Sequence, residues 1–379
     1  MAKQTFTSGQ VLTASQMNTL QTNDYNMTVT TGTASYTLQA SDVGQRRVQN
    51  MGSAGTVTVP NNVFTAGDAL WLHSIGSGVQ TIAAGAGLTL NSSAGTAPTL
   101  AQWEGGVVYF TSASAAIFFR GGSRNTLNVE FLLVGGGGGG GSREGFTGGG
   151  GGAGGFVTGS GIIGKTTYTV KVGAGGAAGN LTPGQSGTRS AFINAANGGG
   201  AGGGGAASLS AQVGGSGGGG GNGTGGLGIS GEGNNGGDGI PGNTSSGGGG
   251  GAGGAGSNGV SNTGGAGGAA STNNYTGSTI SYSGGGGGGG ATTGGTAGTN
   301  AGNGGSGGAG SNATANRGGG GGGGYNATGG TGGSGRVVVR WLTADATGLS
   351  ISVTGTTTNG TDGSYTWYAW DSTGTLVVA

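Results

Sequence analysis

Phe131-Leu132-Leu133-Val134 runs straight into an unbroken glycine block at 135–141, and Gly333-Ser334-Gly335-Arg336 runs straight into Val337-Val338-Val339-Arg340-Trp341. Between these two apolar runs glycine dominates. It supplies 110 of the 379 residues, and 90 of those 110 lie from Gly135 to Gly335. A floppy linker has no use for a strand at each end. The pattern predicts a folded body built of glycine and clamped between two β-strands.

Collagen is excluded, because it needs glycine at every third position and abundant proline. Here glycine comes in blocks such as 284–290 and 318–324, and proline numbers only 4. The remaining choice is between disorder and a lattice. Ordering one residue costs about 1–2 kcal/mol, and glycine loses more freedom than any other residue. A backbone hydrogen bond returns about 0.5–1.5 kcal/mol, and glycine has no side chain to bury. Three features favour order: the clamps, the small uncharged interruptions (Ala, Ser, Thr, Asn), and the close approach that bare backbones allow. Left-handed extended helices with three residues per turn leave every N–H and C=O pointing outward. Side by side they can satisfy one another, helped by Cα–H···O contacts. The expectation is a sandwich of polyglycine-II helices running back and forth, with the non-glycine stretches 206–213, 238–246, 270–283, 291–301, 311–317 and 325–328 as connections.

These connections gather Asn, Thr, Ser and Tyr. Loops on a rigid scaffold are where binding concentrates, and Tyr with Asn and Ser is the vocabulary of adaptable recognition surfaces. The candidate binding residues are therefore Asn273, Asn274, Tyr275, Tyr282, Asn312, Tyr325 and Asn326. The plainer alternative is that the tyrosines only cover the lattice edge.

The flanks read as β-structure. After a short helix expected from Thr13 to Leu20, apolar or alternating runs recur at 35–38, 56–59, 69–72, 79–82, 88–90, 107–110 and 117–119, a spacing that suggests a sandwich or barrel. Val57 and Val59 share one face, and Pro60 ends their strand. Past the glycine body, 349–353 reads as a strand, and 365–370 with 375–378 as a hairpin. The fold class expected is all-β plus non-regular, in four parts: a short lead with a helix at 1–30, a β module at 31–122, the glycine-rich domain at 123–342 and a C-terminal hairpin module at 343–379.

Composition argues against several functions. About 6% of the chain is charged and the formal net charge is +1, so the basic stripe of a nucleic-acid binder is missing. There is no cysteine, hence no disulfide frame or thiolate metal site. The N-terminus shows no signal peptide, and no apolar run approaches the roughly 18 residues needed to span a bilayer. Gly159-Ser160-Gly161-Ile162-Ile163-Gly164-Lys165-Thr166 matches the phosphate-binding P-loop letter for letter, but a strand-like Thr167-Tyr168-Thr169-Val170 follows where a helix is required. Calcium repeats need a recurring Asp, and the glycine body has only Glu144, Glu232 and Asp238. The single His73 supports neither a catalytic triad nor a metal cluster, and the acids are scattered. No enzyme, cofactor or metal is expected.

Phe6-Thr7-Ser8-Gly9-Gln10-Val11-Leu12-Thr13-Ala14-Ser15-Gln16-Met17-Asn18 resembles the opening of many tailed-phage virion proteins. Tyr36-Thr37-Leu38, Asp42-Val43-Gly44, Val57-Thr58-Val59-Pro60 and Ala83-Ala84-Gly85-Ala86-Gly87-Leu88-Thr89-Leu90 resemble a β module of phage tail-fibre proteins. The clamped glycine body is similar to the glycine-rich domain of phage tail proteins and, in architecture, to the tip adhesins of T-even-like phages. The resemblance implies a tail-fibre or tail-tip protein, made in the host cytoplasm and acting outside the cell as part of the virion. Its N-terminus would dock to other tail proteins. Its loops would bind a host surface protein or glycan, and three copies would assemble. Trp367, Tyr368 and Trp370 offer an alternative distal tip. A structural decoration or head-fibre protein without its own receptor is the competing reading.

Overall fold

The computed structural model describes residue 13 and residues 28–92, 98–121, 126–196, 211–242, 244–346, 348–355 and 357–379. The chain forms two compact units, Met1–Asn125 and Thr126–Ala379. The expected helix after Thr13 and nearly all of the 1–30 lead lie outside the described residues.

The first unit contains β1 (Val29–Gly32), β2 (Tyr36–Thr37), β3 (Arg46–Gln49), β4 (Gly55–Val59), β5 (Ala69–Ser74), β6 (Gln80–Ala84), β7 (Thr89–Ser92), β8 (Thr99–Leu100), β9 (Gly105–Ser112) and β10 (Ala115–Gly121). They form two sheets, ordered β1-β3-β5-β9-β10-β7 and β2-β4-β6-β8. The expected two-sheet packing is present, but its topology is a coil. β1, β3 and β5 pair in parallel, as do β2, β4 and β6, so each turn of chain lays one strand on each sheet. The corners are tight. A Cβ at Gly76 would stand 2.2 Å from Met51 O, and one at Gly78 1.9 Å from Ser53 O, so only glycine lets successive coils stack there. Alternation fills the interior: Val57, Val59, Leu70, Leu72, Ile82, Val108, Phe110 and Phe118 are all buried in one cluster.

The second unit contains β11 (Thr126–Val134), β12 (Phe156–Gly164), β13 (Thr167–Val170), β14 (Ser190–Ala191), β15 (Ala195–Ala196), β16 (Ser271–Asn273), β17 (Ile280–Tyr282), β18 (Arg336–Leu342), β19 (Ile351–Thr354), β20 (Thr357–Asp362), β21 (Tyr365–Trp370) and β22 (Gly374–Val378). The two clamps, β11 and β18, pair directly, with Leu132 opposite Val338. They form the middle of the sheet β12-β11-β18-β21-β20. One face of that sheet packs on the sheet β13-β22-β19 through Phe131, Leu133, Val337, Val339, Trp370 and Leu376. The other face buries Leu132, Val134 and Val338 under the β16–β17 hairpin, led by Tyr282. A sheet covered on both faces needs continuous apolar strands rather than alternating ones. That is why the clamps read Phe-Leu-Leu-Val and Val-Val-Val.

Between the clamps the backbone bonds with a period of three. From the run 135–142, the N–H groups of Gly135, Gly138 and Gly141 donate to Gly155, Gly152 and Gly149. Those of Gly136, Gly139 and Ser142 donate to Thr188, Gln185 and Thr182, and those of Gly137 and Gly140 to Gly333 and Gly330. Successive residues thus face three different neighbours, as a three-residue helix requires. The glycines from 135 to 141 and from 284 to 290 include none with positive φ, consistent with extended left-handed helices. Many interior positions admit no Cβ: at Gly137 it would meet Gly319 O at 2.0 Å, and at Gly140 it would meet Gly322 O at 1.9 Å, although the lattice accommodates fully buried Ala153. Where a neighbouring helix is lacking, side chains stand in for its carbonyls. Asn222 Oδ1 accepts from Gly242 N (3.1 Å), Asn303 Oδ1 from Ala297 N (2.8 Å) and Asn258 Oδ1 from Asp238 N (2.8 Å).

The C-terminal stretch differs from the separate module expected at 343–379. β21 pairs with β18 and β22 pairs with β13, so both belong to the sheets of the clamp. The hairpin partner of 365–370 is β20 rather than 375–378. Gly363 (φ 56°) opens the two-residue turn joining β20 to β21, the geometry a tight hairpin demands.

Candidate functional site at the far end of the glycine body

The direction of each glycine helix follows from its bonds. The run after β11 leads away from the sheet, and the run 148–155 returns to β12. Gly176 N and Gly179 N donate to Gly137 O (2.8 Å) and Gly140 O (2.9 Å), so 173–179 also runs outward. Gly320 N and Gly323 N donate to Gly284 O and Gly287 O, so 318–324 and 284–290 run outward together. The turns that follow outward runs therefore collect at the end remote from the clamp. They are 142–147, 180–182, 222–224, 240–242 with 244–245, 260–262, 291–293, 306–309 and 325–328.

These turns are bonded to one another. Ser142 N donates to Thr182 O (3.0 Å), Tyr325 N to Gly308 O (2.8 Å), Asn326 N to Phe146 O (3.3 Å), Ala291 N to Thr244 O (3.0 Å) and Thr292 N to Asn262 O (3.1 Å). Left-handed residues set several of the bends: Leu181 (φ 55°), Asn262 (φ 62°), Asn326 (φ 50°) and Gly242 (φ 111°). Ser142 plugs one helix end from inside, donating through Oγ to Gly179 O (2.8 Å) and accepting from Leu181 N (2.8 Å). The outward surface is polar and nearly neutral. Thr182, Thr224, Asn262, Thr292, Thr293 and Thr328 are exposed on it, beside Leu181, Val260 and half-buried Tyr325. Arg143 lies over the Phe146 ring at 5.2 Å. Such a surface can recognise hydroxyls, amides and apolar patches, and it offers little for a strongly charged ligand.

The residues predicted from sequence divide among three places. Tyr325 and Asn326 are at the far end, and Asn326 Oδ1 accepts from Gly145 N (3.1 Å). Asn312 is exposed part-way along a returning run, where its Oδ1 accepts from Thr331 N (2.9 Å) in place of a missing neighbour. Asn273, Asn274, Tyr275 and Tyr282 belong to the β16–β17 hairpin at the opposite end, against the clamp sheet. Two assignments need correction. Tyr282 is 1% exposed and Trp370 is 0% exposed, so both are core residues rather than contact residues. Trp370 Nε1 is spent on Thr354 O (3.0 Å), and Tyr368 is half-buried and stacked on Trp341 at 5.6 Å.

Tyr275 and Trp367 do come together. Both pack on the face beneath the hairpin. Arg340 lies 4.0 Å from the Tyr275 ring and 4.2 Å from the Tyr365 ring, and its Nε donates to Glu130 Oε2 (2.7 Å). Burial, reinforced by Glu130, raises the Tyr275 phenol above its ordinary pKa, so it stays a neutral donor. An aromatic clasp on an arginine already paired with a carboxylate holds the hairpin to the sheet.

Sequence reasoning missed the turns 142–147, 180–182, 222–224, 260–262 and 306–309. Their signal was present but short: Asn222 alone interrupts a glycine run, and Asn180 and Asn262 stand in brief polar breaks, Asn180-Leu181-Thr182 and Ser261-Asn262-Thr263. Of the expected connections, 238–246 and 325–328 reach the far end. The stretch 311–317 and most of 291–301 are lattice or near-end segments, and 206–213 lies almost wholly outside the described residues. The P-loop-like letters sit on β12 and run into β13, with no helix N-terminus. Among the described residues no group of three His, Asp or Glu could hold a metal, and no helix is long and apolar enough to cross a membrane.

The chain belongs to the glycine-rich domain family, whose profile matches residues 119–342. That span begins at the end of β10 and stops at the end of β18, so it takes in both clamps and everything between them. No curated protein matches this chain.

Proposed function

We propose that the chain is a virion appendage protein of a tailed bacteriophage, a tail fibre or tail tip that touches the host cell through the far-end turns of its glycine body. One observation carries this reading: the glycine lattice is bonded backbone to backbone, and the turns that follow its outward runs gather exposed, replaceable side chains at one end. The interior is constrained backbone to backbone, whereas Thr224, Thr292 or Thr328 can change without touching it. A fixed scaffold with a variable polar tip suits recognition of a surface protein or a neutral glycan. The lead segment 1–30 docks to other tail proteins. Self-association, as a trimer, uses the first unit, where Trp71, Val107 and Phe119 stand in one row across the sheet and Phe119 is 56% exposed. The protein works outside the cell, with no nucleic acid, membrane insertion, cofactor or catalysis.

The test is binding of the purified full chain to cells of the host bacterium, and competition with phage adsorption. Saturable binding at micromolar concentration or below, weakened at least tenfold by Thr182→Arg with Thr292→Arg at unchanged melting temperature, is the expected result. A second reading, a decoration or head-fibre protein without its own receptor, draws on the lattice duties of Asn312 and Asn326 and on the apolar row of the first unit. Absence of cell binding together with intact assembly on virions would favour it.

A further inference from the structure

Trp103 lies in the turn between β8 and β9 with φ at 67° and its side chain 73% exposed. Both features are unfavourable. Left-handed backbone strains a bulky L-residue, and an indole in water forgoes burial. Nevertheless the turn is held firmly. Trp103 N donates to Ser74 O (2.6 Å), Glu104 N to Ala101 O (3.1 Å), Ala101 N to Glu104 Oε2 (2.7 Å) and Gln102 Nε2 to Ile75 O (3.1 Å). The Glu104 carboxylate is anchored in turn by Arg120. The indole is thus displayed on a fixed support, and a strained residue with no return inside its own fold points to a ligand.

Beside it is a cleft of about 320 Å³ lined by Val29, Arg46, Val48, His73, Ser74, Ile75, Trp103 and Glu104, the last with its charge met by Arg120. That volume falls within the range of small-molecule sites, about 300–1,000 Å³. One wall is aromatic, the floor is aliphatic, and exposed Arg46 supplies a cation. His73 contributes a ring whose Nε2 has no hydrogen-bond partner. Space for that ring depends on Gly105, where a Cβ would lie 2.7 Å from His73 Nδ1.

We propose that this cleft is a saccharide site on the first unit, taking a carboxylate-bearing pyranose whose C–H face stacks on Trp103 and whose carboxylate meets Arg46. The flat apolar face of a pyranose matches the indole, and the His73 imidazole gives the cleft a polar wall whose Nε2 is buried without a partner. Burial first, and Arg46 second, hold the His73 pKa below its ordinary value, so near pH 7 the ring is neutral, with one donor and one acceptor nitrogen. Arginine favours a carboxylate through paired N–H donors. The site is independent of the glycine-body turns and stands whether or not those turns bind a receptor.

The experiment titrates the full chain with galacturonic-acid oligomers and with galactose oligomers of equal length, read by tryptophan emission and calorimetry. Saturable binding that prefers the acidic oligomer is expected. Trp103→Gly relieves the left-handed backbone; it should leave the melting temperature equal or higher and weaken binding at least tenfold. Arg46→Gln should remove the acidic preference and keep the neutral binding. No saturable response to either oligomer, or an unchanged response in Trp103→Gly, overturns the proposal. Dissociation of an assembled multimer by Trp103→Gly at sedimentation equilibrium also overturns it, by assigning the indole to a contact between copies. Equal affinity for both oligomers overturns the role given to Arg46.

Discussion

A Cβ placed on Gly287 would lie 1.9 Å from Gly295 O and 2.6 Å from its carbonyl carbon. Both are backbone atoms of one neighbouring helix, so no rotamer change relieves the clash. Gly287→Val should cost more than about 4 kcal/mol and remove the cooperative transition of the second unit in thermal melting. Gly223 has nothing within 4 Å of its Cβ position and no positive φ. Gly223→Ala should stay within about 0.5 kcal/mol of the parent. The pair separates glycine required by packing from glycine that happens to occupy a turn. Composition could not make that distinction, because both residues stand in similar glycine-rich text. Side-chain roles were equally hidden at single positions. Tyr365 and Trp367 share one face of β21, and Tyr368 and Trp370 point away from it, but only the sheets on either side decide which are covered. Asn312, expected from sequence as a recognition residue, also acts as a substitute carbonyl at a lattice edge.

Strand positions were legible because period-two burial writes itself into sequence, as at Val57 and Val59. Strand partners were not. A parallel coil and an antiparallel meander impose the same alternation, so the winding of the first unit and the attachment of β21 and β22 to the clamp sheets depend on distant pairings. The β16–β17 hairpin escaped notice because its strands are three residues each and polar on one side. The clamp is where buried apolar side chains supplement a glycine lattice whose hydrogen bonds barely offset its ordering. Trp370, buried in the cluster that joins the two sheets, tests this. Trp370→Ala should destabilise the second unit by about 3–5 kcal/mol, measured by denaturant unfolding. In the first unit, His73 makes stability depend on pH. Its folded-state pKa lies below the ordinary 6.5, so its neutral form favours the fold. Its contribution is full above about pH 6.5 and declines as pH falls below that value, where the unfolded chain binds the proton more readily. Calorimetric melting of the first unit should therefore fall between pH 7 and pH 5, and His73→Gln should flatten the decline.

At the scale of the molecule, the glycine-rich domain was the most legible feature, since both of its limits are marked by apolar strands and the family match covers the same ground. Its end-on surface was only half legible. The turns are short, and which end each one reaches depends on the direction of its helix, which hydrogen bonding sets. The functional proposal rests on that surface being rigid, so it needs the lattice to exist in solution. Amide hydrogen exchange resolved along the second unit is the direct measurement. The N–H groups of 135–141, 284–290 and 318–324, bonded sideways into neighbouring helices, should exchange many orders of magnitude more slowly than free peptide and as slowly as those of β11 and β18. Free-peptide rates across these three runs, with protection confined to the clamp strands, would contradict the account.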